Sequence, residues 1–95
     1  MTGERIHLNG HIDVPEQQRD AVAAALPEHI ALTHAEPGCI SFEVTPDPTM
    51  PGRYHVAEIF IDQAAFDAHQ ARAAASPWAE ITKDVARDYK ITKGD

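Results

Sequence analysis

The sequence contains a single cysteine, Cys39, and no long apolar run. One cysteine cannot form an internal disulfide, and the first ten residues, MTGERIHLNG, lack the apolar core of a secretory signal. We therefore expect a protein of the reducing cytoplasm. No apolar stretch approaches the roughly 20 residues that a membrane-spanning helix requires, so we also expect no association with a membrane.

Positive charge is scarce as well. The chain has 8 Lys and Arg residues against 15 Asp and Glu residues, which gives a formal net charge of −7. Nucleic acids and anionic membranes bind basic surfaces, and no run of basic residues offsets this balance, so we exclude both as partners. The glycine-rich signatures of phosphate-binding loops are also missing, and the sequence predicts no nucleotide or flavin cofactor.

The apolar residues that are present divide residues 1–95, which suffice for one domain, into strands and helices. Alternation of apolar and polar residues predicts four strands, over residues 5–14, 39–45, 54–61 and 87–92. Helical spacing predicts a helix from Pro15 that Pro27 kinks or breaks, a second helix over 63–75 capped by Asp62, and a restart at Ser76. This order predicts an α+β, ferredoxin-like βαββαβ fold, in which two helices cover one face of a four-stranded antiparallel sheet.

A second copy of the chain is the predicted cover for the other face of the sheet. Two short helices are too few to bury all the large aromatic side chains of the strands, which are Phe42, Tyr54, Phe60 and Tyr89. We therefore predict a homodimer that packs sheet against sheet and forms a barrel.

Three segments resemble the antibiotic biosynthesis monooxygenase family of dimeric α/β barrel proteins: EPGCISFEVTPDP, YHVAEIFIDQAAFDAH and SPW. Members typically show Pro-Gly-Cys at the start of the second strand, Glu-x-Phe/Trp in the third, and Ala-Phe-x-x-His on the following helix. Here these motifs are residues 37–39, 58–60 and 65–69, and the match spans residues 5–92. The resemblance implies the dimeric barrel fold and an activity like that of cofactor-independent oxygenases of phenolic polyketides and quinols.

The same family includes a haem-degrading branch with an Asn–Trp–His pocket. Asn9 matches the asparagine of that branch, but His69 falls where the branch has tryptophan and Ala79 falls where it has the haem-ligating histidine. This departure argues against haem, and we expect no bound cofactor.

Cys39 and the six histidines were considered as reactive or metal-binding groups. The nearest charges in sequence to Cys39, Glu36 and Glu43, are acidic and would raise the pKa of the thiol, which favours a buried structural cysteine over a nucleophile. His7 and His11 lie roughly 13 Å apart on a strand and cannot share a metal ion. We predict no metal site, with a cross-strand site that combines His55 with His7 or His11 as an open alternative.

His69 is the leading candidate for a catalytic group, because imidazole titrates near neutral pH and the helical stripe directs it inward. The alternative is a core histidine bonded to a backbone carbonyl or to Glu58. Asn9 and His11, on the polar face of the first strand, are predicted to face the lumen of the barrel and to complete the catalytic group. Glu58, which could instead pair with Arg72, joins a predicted substrate-binding set with Trp78, Phe60 and Tyr54.

The function that these residues predict is a cofactor-independent monooxygenase of a small aromatic, polyketide or quinol substrate. A deprotonated phenol can itself pass an electron to dioxygen, so the protein needs only to bind the ring and remove a proton. Two alternatives remain open from the sequence. One is a non-catalytic dimeric module that binds a small ligand or serves a stress-related role, and the other is an oxygen-independent isomerase on the same fold.

Overall fold

The predicted ferredoxin-like order of strands and helices is confirmed by the computed structural model, which describes residues 4–94. The predicted domain, residues 1–95, extends beyond this range by residues 1–3 and 95. The elements are the strands β1 to β4, the helices α1 to α3 and a short 3-10 turn, with these bounds: β1 Ile6–Asp13, 3-10 turn Glu16–Gln18, α1 Arg19–His34, β2 Cys39–Pro46, β3 Arg53–Phe60, α2 Gln63–Ala74, α3 Pro77–Ile81 and β4 Ala86–Lys93.

The four strands form one antiparallel sheet in the order β2-β3-β1-β4. Because side chains alternate along a strand, this register sorts them onto two faces. The inner face, which the helices cover, carries Ile6, Leu8, Ile12, Phe42, Val56, Glu58 and Phe60, all of which are buried. The outer face is polar and carries His7, Asn9, His11, Glu43 and His55.

The core lies between the inner face and the helices. Ile6 and Phe60 are each 1% exposed, and Val22 of α1 is fully buried above them. The strand aromatics Phe42 and Phe60 are buried here, and the register places Tyr54 and Tyr89 on the same inner side. None of these rings is on the uncovered face, although Tyr89 is still 37% exposed, so the rings do not show that a second copy covers the outer face. The dimer stays a prediction.

Pro27 does not break the first helix. The structure has one continuous helix, α1, from Arg19 to His34 with Pro27 inside it, so of the predicted kink or two helices the division into two is wrong. Because proline has no N–H, the carbonyl of Ala23 lacks its usual helical donor. Ala23 and Pro27 are both exposed, so water can solvate that carbonyl. On the opposite side of the helix, Val22 and His29 are buried and hold it against the sheet.

Candidate active site

A half-open pocket lies between the inner face of the sheet and the helices α2 and α3. Its volume is about 320 Å³, within the range of small-molecule sites. The polar and aromatic side chains that line it are His29, Glu58, His69, Gln70, Trp78, Arg87 and Tyr89. Of the predicted site residues, the structure thus brings His69, Glu58 and Trp78 together.

Helix α2 positions His69. The Asp62 side chain caps the helix by accepting a hydrogen bond from the Ala65 N–H at 2.8 Å, as predicted. The inward stripe then buries Phe66 and His69, and His69 is only 3% exposed. Its ring lies 4.9 Å from the ring of Phe60, measured between centroids, so Phe60 supports the histidine and does not itself line the pocket.

The partner of His69 is Glu36, which lies at the turn between α1 and β2. Nδ1 of His69 is 3.0 Å from Oε1 and 3.3 Å from Oε2 of this carboxylate. Burial lowers the pKa of His69, and the Glu36 charge offsets only part of this effect, so the ring is neutral at pH 7. Arg72 donates from Nε to Glu36 and from Nη2 to Thr33 Oγ1 at 3.0 Å. The predicted pairing of Arg72 with Glu58 is therefore wrong.

Glu58 presents a buried carboxyl to the pocket from the middle of β3. It is 6% exposed, and its Oε1 has no hydrogen-bond partner. The His69 ring lies beside it, with Nε2 3.8 Å from Oε1. Burial, helped by the charge of Glu36, raises the pKa of Glu58 to about 7. A carboxyl that titrates near neutrality at the wall of a pocket is suited to general acid–base chemistry.

An aromatic wall closes one side of the pocket. The His29 ring stacks on Trp78 with centroids 4.5 Å apart and planes within 6°. Burial, together with the nearby His69 and Arg72, lowers the pKa of His29 to about 4, and its Nδ1 is buried with no partner. On the other side, β4 contributes Tyr89, whose pKa is raised by its partial burial.

Asn9 and His11 lie on the outer face, so the sheet separates them from His69. They line a different groove with Glu43, Thr45 and His55. Asn9 and His11 face away from the helices, as the sequence predicted. Within one chain they are therefore not in the same site as His69. Their catalytic role stays a prediction.

Tyr54 is on the inner face four residues from Glu58 but does not line the pocket. Ala79 does line the pocket. The resemblance places the ligating histidine of the haem-degrading branch at this position, and an alanine offers no ligand.

Cys39 opens β2 on the inner side and packs, half-buried, against the core. Burial raises the pKa of its thiol, with smaller effects from Glu36 and Glu58, so the structure agrees with a structural cysteine. Glu43, the other predicted neighbour, points to the outer face. Within residues 4–94, no three His, Cys, Asp or Glu side chains are placed to hold a metal ion together, which gives the cross-strand histidine site no support. No helix within these residues is long and apolar enough to span a membrane.

The sequence reasoning missed five side chains of this site: Glu36, His29, Gln70, Arg87 and Tyr89. Glu36 was weighed only as a charge near Cys39, although its place beside the Pro-Gly-Cys motif could have marked it. It meets His69 across 33 positions of sequence, and that contact depends on how the turn packs against α2.

The chain is thus a ferredoxin-like domain in which an acid, a histidine and an aromatic wall surround one pocket, on a scaffold that hosts many activities. The model of the antibiotic biosynthesis monooxygenase family matches residues 5–80, and the chain belongs to that family.

Solved structures with the same fold include three bacterial proteins. A Nitrosomonas europaea protein, provisionally named an antibiotic biosynthesis monooxygenase, is 21% identical with a TM-score of 0.83, covering 99% of this chain and 93% of its own. A Caulobacter crescentus protein of the same provisional name is 16% identical with a TM-score of 0.79, covering 99% and 92%. A Shewanella oneidensis protein is 25% identical with a TM-score of 0.75, covering 95% and 90%. No protein of curated function matches significantly.

Proposed function

We propose that the protein is a cofactor-independent monooxygenase that oxidises a small aromatic, polyketide or quinol substrate in the inner pocket. The observation that carries the proposal is Glu58: a buried carboxyl, with a free oxygen and a pKa of about 7, beside His69 and facing an aromatic-walled cavity. Membership of the antibiotic biosynthesis monooxygenase family supports the reaction class. The substrate class comes from the resemblance and from the shape of the pocket.

The substrate is bound by the aromatic wall of the pocket and by the carboxyl of Glu58. A flat ring lies against the Trp78–His29 stack, where offset aromatic contacts favour it. Its phenolic or enolic hydroxyl then reaches the unpartnered oxygen of Glu58. Since a buried group left without a partner costs about 1–3 kcal/mol, a ligand hydroxyl that satisfies it is selected over a plain hydrocarbon.

Proton removal starts the reaction of a substrate with an activated ring CH2 group. Glu58 takes one proton, and the resulting phenolate-stabilised anion passes one electron to dioxygen. The carbon radical and superoxide combine, forming a C–O bond, and the peroxide anion takes that proton back by way of Glu58. Loss of the second C–H proton then breaks the O–O bond, which leaves C=O and hydroxide, and the hydroxide takes up that proton. In sum, CH2 and O2 become C=O and H2O, so the substrate supplies all the electrons.

A cytoplasmic homodimer is part of the same proposal. The family resemblance supports the dimer, and the polar outer face with Asn9 and His11 is the surface that a second sheet would cover. The single cysteine supports the reducing compartment.

Dioxygen uptake by metal-stripped protein, over a panel of hydroquinones and 1,8-dihydroxyanthrone, tests the proposal. We expect uptake above the spontaneous rate, and a loss of uptake in Glu58→Gln and His69→Ala. For the anthrone, which has the ring CH2 group, one atom of ¹⁸O₂ is expected in the product and the other in water. Substrate-dependent heat of binding without uptake would instead identify a ligand-binding module, and an isomerised product without uptake would identify an isomerase. Loss of uptake in Asn9→Ala but not in Glu58→Gln would move the reaction to the outer face.

A further inference from the structure

The contact between Glu36 and His69 determines which ring nitrogen carries the proton. Both Glu36 oxygens lie within 3.3 Å of Nδ1, and Arg72 donates to the same carboxylate and forms an ion pair with it. An ionised carboxylate only accepts hydrogen bonds. Nδ1 must therefore be the donor, and the neutral ring is the Nδ1–H tautomer.

The opposite nitrogen is then free to accept a proton. In the Nδ1–H tautomer Nε2 is bare, and it lies 3.8 Å from Oε1 of Glu58, the oxygen without a hydrogen-bond partner. A shift of about 1 Å would bring these atoms into hydrogen-bonding distance. Were the ring the other tautomer, an N–H would point at Glu58 and could only donate to it.

We propose that Glu36 is a positioning residue that holds His69 as the Nδ1–H tautomer, so that Nε2 can receive the proton that Glu58 takes from the substrate. The assignment of Glu58 rests on the proposed function, whereas the tautomer of His69 does not. Arg72 has a part in this arrangement, because it donates from Nε to Glu36 and so holds the carboxylate beside His69. The pair Glu58 and His69 is thus oriented by the ion pair of Glu36 and Arg72, which does not line the pocket.

The orientation of each element explains why no other group replaces Glu36. His69 and Arg72 extend from neighbouring turns of α2, so both reach the turn before β2 where Glu36 lies. From α1, the nearby His29 has its ring engaged with Trp78. From the sheet, Glu58 faces the other nitrogen.

Nitrogen-15 NMR of the imidazole ring tests the tautomer in the intact protein without turnover. At pH 8 we expect His69 to carry its proton on Nδ1, and Glu36→Ala to move it to Nε2. Glu36→Gln, whose amide oxygen still accepts, is expected to restore the Nδ1–H form. The matched control is Asp67→Ala, which removes an exposed carboxylate from the same helix. The Asp67 side chain accepts a hydrogen bond from Gln63, so its loss should leave the tautomer of His69 unchanged.

Kinetics supply the second readout. Loss of the partner that orients a reacting histidine is expected to lower kcat about 10- to 100-fold in Glu36→Ala, with KM close to that of the native protein, and Glu36→Gln should recover most of the loss. A native His69 protonated on Nε2, or a tautomer unchanged in Glu36→Ala, would overturn the inference. If the tautomer moves as expected but no substrate is turned over, the proposed function fails and the role of Glu36 in orienting His69 stands. The native spectrum decides the first point even if Glu36→Ala folds poorly.

Discussion

Glu58→Gln is expected to stabilise the protein, and increasingly so as the pH rises. In the native state burial raises the pKa of Glu58 from 4.5 to about 7, so folding favours the protonated carboxyl. That preference is fully present below pH 4.5 and is lost as the pH rises through 7, because the ionised form must then be buried. Since a tenfold change in proton affinity corresponds to about 1.4 kcal/mol, the cost of burying the charge approaches about 3 kcal/mol above pH 7.

Glutamine has nearly the same shape and no charge, so it removes this cost. Urea denaturation of both proteins from pH 4.5 to 8.5, at one protein concentration, measures the difference in unfolding free energy. We expect the difference to grow by about 3 kcal/mol between pH 4.5 and 7 and to level off above that. Glu43→Gln, which changes an exposed carboxylate on the outer face, is the control and should give a flat difference. A flat or falling difference for Glu58→Gln would refute the argument that its carboxyl titrates in a buried site.

Two further predictions concern the frame that holds the site. A methyl group at position 38 would lie 2.2 Å from Cβ of Ala65, so Gly38→Ala is expected to cost about 1–3 kcal/mol of unfolding free energy. In urea denaturation Ala65→Gly should then cost less in the Gly38→Ala protein than in the native one, and equal costs would show that the clash is not the cause. Asp62→Ala removes the cap of α2 and is expected to cost about 1 kcal/mol by thermal denaturation, while Asp62→Ser keeps most of the stability; equal losses in both would contradict the capping role.

The fold could be predicted because the apolar pattern has a period of two in four segments and a helical period between them. Strand β1 was predicted over 5–14 and is Ile6–Asp13, and β4 was predicted over 87–92 and is Ala86–Lys93. The face of the sheet on which each aromatic ring lies was harder to predict, because it depends on strand register. Tyr89 pairs with Gly10 and Phe42 with Glu58, and both are therefore on the inner side, a fact that no local pattern contains.

The candidate site could be predicted only in part. His69 and Glu58 belong to motifs on single elements, so sequence reasoning found them. The sequence also grouped them with Asn9, whose side of β1 faces away from the helices, so within one chain the sheet separates it from His69. Glu36 was missed because a tertiary contact, not a sequence spacing, joins it to His69.

The stacking of Trp78 on His29 gives the protein an optical reporter of its own. Trp78 is the one tryptophan of the chain, so all indole emission arises at the wall of the pocket. A protonated imidazole in van der Waals contact quenches indole, and His29 has a pKa of about 4, so this quenching develops only as the solution becomes strongly acidic. At neutral pH this quenching is absent. The intensity and wavelength of the Trp78 emission then report ligand binding in the pocket without any added label.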